Sequence, residues 1–190
     1  QALKVKPNLT EAHNNIGLIQ IDLGQIDLAR ESFKQAIQIK PDYAAAHNNL
    51  GNTYKELNHL NLAVSCYKEA LSIDPHFTQV HDNLGGVLRE LREFTEAEKC
   101  HKKALKIEPD YASAYNNLGL VYAEIGQLEM AIDSHKRALA LNPHSADFRW
   151  NFSLLQIEND FIPEGFKNYE ARWERKEFTS QRRQFSIPRW

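Results

Sequence analysis

The sequence predicts an all-α fold, a superhelical solenoid of antiparallel helix pairs, and three observations carry that prediction. Prolines recur at a fixed interval, since Pro7, Pro41, Pro75, Pro109 and Pro143 lie 34 residues apart. Other columns repeat in the same register. Gly17, Gly51, Gly85 and Gly119 share one column, Ala29, Ala63, Ala97 and Ala131 a second, and Ala36, Ala70, Ala104 and Ala138 a third. Within each interval apolar residues return at three- and four-residue spacing, the period of a helix with one buried face. A repeat of this length cannot bury its apolar face alone, so neighbouring repeats must stack.

The elements follow in order. Residues 1–9 read as the end of a truncated upstream repeat, because Ala2 and Leu3 fall in the columns of Ala36 and Ile37. Residues 10–43 form the first complete repeat, with Ile16 and Ile19 expected on an exposed face that lacks a preceding hairpin. The second repeat, 44–77, shows the pattern most clearly. Its first helix carries Ala46, Leu50, Thr53, Tyr54 and Leu57 along one stripe. After the Asn58-His59 turn, Leu62, Ala63, Cys66, Tyr67, Ala70, Leu71 and Ile73 make the second stripe. Pro75 stops that helix, since proline lacks an amide hydrogen and clashes with the preceding turn. Small residues in the Gly51 and Ala63 columns let the paired helices approach closely, and the Ala70 column does the same between repeats. Residues 78–111 and 112–145 repeat the plan. Residues 146–176 are a degenerate repeat with a capping helix, in which Ser153 replaces the glycine and Gly165 the alanine. Phe166, Tyr169 and Trp173 are expected to cover the end of the stack. Residues 177–190 read as a basic tail, or a linker to a missing C-terminal domain.

Composition narrows the function. The chain has 190 residues, 42% apolar and 25% charged, which excludes a disordered or low-complexity protein. No apolar run approaches the roughly eighteen residues that a membrane helix needs, so no membrane partner is expected. A net charge of −2 provides no overall attraction for nucleic acid. Two cysteines are too few for a disulfide framework, and Cys66 and Cys100 occupy equivalent positions pointing the same way. With no apolar leader visible after Gln1, the expected location is cytoplasmic.

The 34-residue spacing and the pattern -NNLG-(x)2-Y-…-A-(x)3-Y-(x)2-AL-(x)3-P over residues 48–75 resemble the tetratricopeptide repeat. The resemblance covers about residues 1–176. One departure is the column that holds a large aromatic in that family, occupied here by His13, His47, His81, Tyr115 and Arg149. The -HNNLG- repeats are also similar to those that precede the catalytic domain of protein O-linked N-acetylglucosamine transferases. The region from Tyr169 to Trp173 and the Arg-Arg-x-Phe-x-x-Pro-x-Trp ending look like the link to a glycosyltransferase-like domain in bacterial repeat proteins. The family resemblance implies first helices lining a concave face, and a non-catalytic scaffold for protein–protein interaction that binds an extended polypeptide there. The alternative is a substrate-presenting repeat region of a glycosyltransferase whose catalytic domain lies beyond this chain.

Candidate binding residues are polar columns of the first helices. Asn15, Asn49, Asn83, Asn117 and Asn151 form one column, flanked by Asn14, Asn48, Asp82 and Asn116, with Asn52 one turn beyond Asn48. A primary amide holds both a donor and an acceptor, so it can pair with any peptide bond. In the O-linked transferases that these repeats resemble, an inner asparagine ladder grips polypeptide in this way. The same side chains could instead bond to the neighbouring helix and tie repeats together. A second column is acidic, with Asp22, Glu56, Glu90, Glu124 and Glu158, and is interrupted by Lys55 and Arg89. It reads either as a solvated helix face or as groove charges favouring basic or hydroxyl-rich peptides.

No metal is expected. His13, His47 and His81 come one per repeat, on helices ~8–10 Å apart, whereas zinc holds its ligands at ~2 Å. His101 and His135 share the aromatic column of Phe33, Tyr67 and Tyr169, which makes them core residues. No phosphate loop, nucleophile elbow or HExxH motif occurs, so neither a catalytic residue nor a cofactor is expected. Arg182 and Arg183 suit an acidic partner or the missing domain. The expected partners are a protein or peptide in the groove, and a second copy through the open ends.

Overall fold

A computed structural model describes residues 2–159 and 162–175, with side chains from 9–159 and 164–175. Its helices, in chain order, are α1 (Ala2–Asp22), α2 (Ile26–Ile39), α3 (Ala44–Glu56), α4 (Leu60–Ile73), α5 (Thr78–Glu90) and α6 (Phe94–Ile107). They continue with α7 (Ala112–Glu124), α8 (Leu128–Leu141), α9 (Ala146–Glu158), α10 (Ile162–Tyr169) and a 3-10 helix over Glu170–Glu174. Each odd helix pairs with the even helix after it, and each even helix packs on the next odd one. The odd helices also touch one another along the stack, α3 with α5, α5 with α7 and α7 with α9. No comparable even–even packing occurs among the described residues. The odd helices therefore follow the shorter arc and form the concave layer.

The prolines set the repeat boundaries by a local mechanism. Lys40, Asp74, Glu108 and Asn142 each precede a proline; the first three adopt extended backbone and Asn142 leaves the helical region at φ −135°, ψ 80°, as steric clash with the proline ring favours. Their amides still bond back to Ala36, Ala70, Ala104 and Ala138, closing each second helix. Histidine then pins the corner, with the Nε2 of His47 2.8 Å from the Pro41 carbonyl and that of His81 2.9 Å from the Pro75 carbonyl. These ring nitrogens donate to the carbonyls, a structural role at the start of the first helix.

Inside each repeat, a ring lies flat on a helix backbone. A Cβ at Gly17, Gly51, Gly85 or Gly119 would come within 2.5–2.7 Å of Phe33, Tyr67, His101 or His135 respectively, so only glycine admits these contacts. Ala29, Ala63, Ala97 and Ala131 are fully buried beside them. The core is thus a column of small residues alternating with rings, flanked by Leu50, Leu84, Leu118 and Phe152. Both histidines are core residues.

Three details differ from expectation. Pro7 lies inside α1 and does not end a helix there. Leu62 is 49% exposed, because the buried face of α4 is the narrow stripe of Ala63, Tyr67 and Ala70, about 100° away from it. Phe166 is 47% exposed, because α10 ends at Tyr169 and the chain tightens into a 3-10 helix, turning Trp173 off the stripe that Phe166 begins. Tyr169 and Trp173 remain half-buried at the end of the stack.

Candidate functional site

The concave layer is held together by two sets of rungs, and both join residues 35 apart. The first set is made of amides. Asn49 Nδ2 donates to Asn14 Oδ1 at 2.9 Å, Asn83 to Asn48 Oδ1 at 3.0 Å, and Asn151 to Asn116 Oδ1 at 3.3 Å. Asn117 donates to both carboxylate oxygens of Asp82 at 3.1 Å. The acceptors Asn14, Asn48, Asp82 and Asn116 are buried, and the donors Asn49, Asn83, Asn117 and Asn151 are half-buried along the concave side. Asn15, at the head of the donor column, is exposed.

The second set is ionic. Lys55 Nζ lies 3.3 Å from Glu90, and the Arg89 guanidinium pairs with Glu124. Two of the acidic groove residues are therefore neutralised by a cation of the preceding repeat. Asp22, Glu56 and Glu158 have no ion pair among the described residues. Both pairs are substantially exposed, which limits each to about 0–1 kcal/mol.

Sequence reasoning found the columns but not the offset between them. A rung runs from one residue to the position just after its repeat equivalent. The adjacent pairs Asn14-Asn15, Lys55-Glu56 and Arg89-Glu90 carry that signal, since the first member of each pair bonds to the counterpart of the second one repeat further on.

Asn52 also bridges repeats. Its Oδ1 accepts from the Tyr67 hydroxyl at 2.7 Å and from Asn83 Nδ2 at 3.1 Å. This places the column of Leu18, Asn52, Gly86, Leu120 and Leu154 on the same concave face, one helical turn beyond the donors. The floor of the groove is thus apolar at both ends and polar in the middle.

At the C-terminal end the amide ladder stops where Trp150 takes the acceptor column. Its ring lies 4.8 Å from Tyr169, and the Arg175 guanidinium sits 5.5 Å above it. Arg175 also reaches Asp147 at 2.6 Å, and Arg149 pairs with Glu174. Aromatic and guanidinium contacts thus replace the rung that another repeat would make. Residues 177–190, with Arg182, Arg183 and the ending similar to glycosyltransferase linkers, lie outside the described residues.

The remaining reactive groups are quiet. Burial raises the thiols of Cys66 and Cys100 to about 11, with Glu69 and Glu96 adding smaller repulsion, and both cysteines are free. Among the described residues no cluster of three His, Cys, Asp or Glu could hold a metal ion. No described helix is long and apolar enough to cross a membrane.

The tetratricopeptide repeat family matches over residues 17–58, 44–77 and 77–143. Among solved structures, pilF of Pseudomonas aeruginosa is 22% identical, over 93% of this chain and 79% of its own, with a TM-score of 0.80. A thermophilic tetratricopeptide repeat protein of Thermus thermophilus is 24% identical over 88% of this chain and 91% of its own, with a TM-score of 0.77. YrrB, a repeat protein described as having an unusual peptide-binding site, is 18% identical over 84% of this chain and 82% of its own, with a TM-score of 0.63. Among curated proteins no match is found.

Proposed function

The chain belongs to the tetratricopeptide repeat family, and from that premise we propose that it is a non-catalytic protein-interaction module whose concave face holds an extended polypeptide. The observation that supports this reading is the half-exposed amide column, which runs from Asn49 to Asn151 at one residue per repeat. Successive first helices lie ~8–10 Å apart, and an extended chain advances ~3.3 Å per residue. One amide therefore meets about every third residue of a bound segment. The rungs occupy some of each amide's valence, so the ladder both joins the repeats and offers its remaining atoms to a ligand. A further part of the proposal is self-association through the N-terminal end of the stack, where Ile16 and Ile19 are exposed.

Peptide-array capture by the full chain tests the groove reading. Leu154→Arg places a long cation on the concave floor without touching a rung, while Leu62→Arg does the same on the outer helix α4. Capture should be lost in Leu154→Arg and kept in Leu62→Arg. Equal capture by both variants would place the binding surface elsewhere.

A further inference from the structure

Gly86 is the anomaly of the concave face. Glycine inside a helix destabilises it relative to alanine, so its presence needs a reason. Neither conformation nor packing supplies one. Gly86 is not among the residues with positive φ, and a Cβ built there meets only Lys55 Nζ, at 3.9 Å. Its neighbour Gly85 contrasts sharply, since a Cβ there would lie 2.6 Å from the His101 ring. What Gly86 does is leave the groove floor open at its middle, where the same column elsewhere carries Leu18, Asn52, Leu120 and Leu154.

The opening borders two amides with unspent valence. Asn83, one turn before Gly86, donates through Nδ2 to Asn48 Oδ1 at 3.0 Å and Asn52 Oδ1 at 3.1 Å. Asn52 Oδ1 also receives the Tyr67 hydroxyl at 2.7 Å. Asn52 Nδ2 and Asn83 Oδ1 are left without hydrogen bonds among the described residues. One donor and one acceptor side by side match the acceptor and donor of a peptide group. Both cations beside them are already paired, Lys55 with Glu90 and Arg89 with Glu124, while Glu56, one turn beyond Asn52, has no ion pair among the described residues, so nothing there attracts an acidic side chain. One repeat away on either side the floor turns apolar, at Leu18 and Leu120.

We propose that Asn52, Asn83 and Gly86 form a backbone clamp at the centre of the groove, selecting extended segments that lack acidic side chains and carry an apolar side chain on each flank. The inference rests on the reading of the concave face as a polypeptide site. The missing Cβ lets the bound main chain settle against α5. Asn52 Nδ2 donates to a ligand carbonyl, and Asn83 Oδ1 accepts from a ligand N–H. Leu18 and Leu120 are three repeat intervals apart. At ~9 Å per interval and ~3.3 Å per residue they meet side chains about eight residues apart. An even separation puts both side chains on the same side of an extended chain.

Fluorescence anisotropy with the full chain and labelled synthetic peptides of about twelve residues tests the clamp. The probes are Ser/Thr peptides with two leucines about eight apart, the same composition with the leucines about three apart, and the wide-spaced peptide N-methylated at its central amide. The wide-spaced peptide should bind best. N-methylation on the unaltered protein, and Gly86→Leu in the protein, should each weaken it roughly tenfold or more, as loss of one or two hydrogen bonds implies. Gly86→Leu should melt no lower than the parent, because its side chain enters open space. The clamp is overturned if the wide-spaced peptide fails to bind, if leucine spacing is ignored, or if N-methylation changes nothing. If Leu154→Arg abolishes binding while Gly86→Leu and N-methylation have no effect, the clamp falls and the groove reading stands. If binding also survives Leu154→Arg, both fall.

Discussion

His135 is a neutral imidazole sealed between Gly119 and Phe152. Its ring is buried, stacks 5.6 Å from the Phe152 ring, and has no hydrogen-bond partner on either nitrogen. Burial pushes its pKa down from 6.5 to about 4. The folded value lies below the unfolded one, so the unfolded chain takes up the proton first as pH falls. The contribution to stability is complete above about pH 6.5 and is lost progressively toward about pH 4, a change of roughly 3 kcal/mol. Urea unfolding at neutral pH and near pH 4.5 measures it. His135→Phe, which installs the ring that Phe33 supplies in the first repeat, should remove most of the loss. An identical pH dependence in parent and variant would exclude His135 as its source. His101 fills the same column differently, with Nδ1 2.7 Å from Asp82, whose carboxylate also receives Asn117. Column arithmetic identified both histidines as core. It did not show that one is bonded to a neighbouring carboxylate while the other is isolated, because that depends on whether the facing residue is Asp82 or Asn116.

At the scale of the element, the turns within repeats share one geometry. His59 N bonds to Tyr54 O and Asn58 N to Lys55 O, with the same pairings at Gly24-Gln25, Arg92-Glu93 and Gly126-Gln127. This helix ending needs a left-handed residue, supplied by Gly24, Asn58, Arg92 and Gly126 at φ 71°, 59°, 63° and 76°. Glycine and asparagine enter that region readily, but an arginine side chain is strained there by ~1–2 kcal/mol. Arg92→Gly should therefore stabilise the chain by about 1 kcal/mol, after the greater entropy of the unfolded glycine is deducted. The contact of the Arg92 guanidinium with Phe94, 5.1 Å from the ring centre, is a smaller loss. Thermal melting should show a rise of about 2–4 °C for Arg92→Gly and a smaller change for Asn58→Gly. A lower Tm for Arg92→Gly would mean that the Phe94 contact outweighs the backbone strain. Three of these turns are recognisable from residue type. The fourth follows only from register, because arginine is not a turn former.

At the scale of the whole molecule, the stack treats its interior and its N-terminal end differently. Ile16 and Ile19 are 44% and 58% exposed, whereas their counterparts Leu50 and Thr53 are 7% and 0% exposed. Leu23 is 65% exposed too, where its counterpart Leu57 is half-buried. A face that other repeats bury should drive association of this chain. Sedimentation over a range of concentrations should show dimers or larger species, and Ile19→Asp should shift them to monomer. A strict monomer at high concentration would remove the proposal of self-association through this end.

By itself the sequence determined the repeat, its length, the helix pairs and most of the buried face. Each of these follows from local rules, applied identically in successive repeats: proline ends a helix, glycine admits a ring, and alanine admits a neighbouring helix. It also identified the polar columns of the groove, because periodicity places Asn15 and Asn49 on equivalent faces. Only the tertiary structure decided how those amides divide their bonds. The division depends on the offset between neighbouring first helices, which sets Asn49 against Asn14 and Lys55 against Glu90. A hydrogen bond forms or fails within a few tenths of an ångström, while a column fixes only which residues are equivalent. The same limit hid the opening at Gly86, whose adjacent twin Gly85 is required by packing. Two neighbouring glycines have the same letter in the sequence; the surrounding side chains give one a structural task and leave the other facing open space.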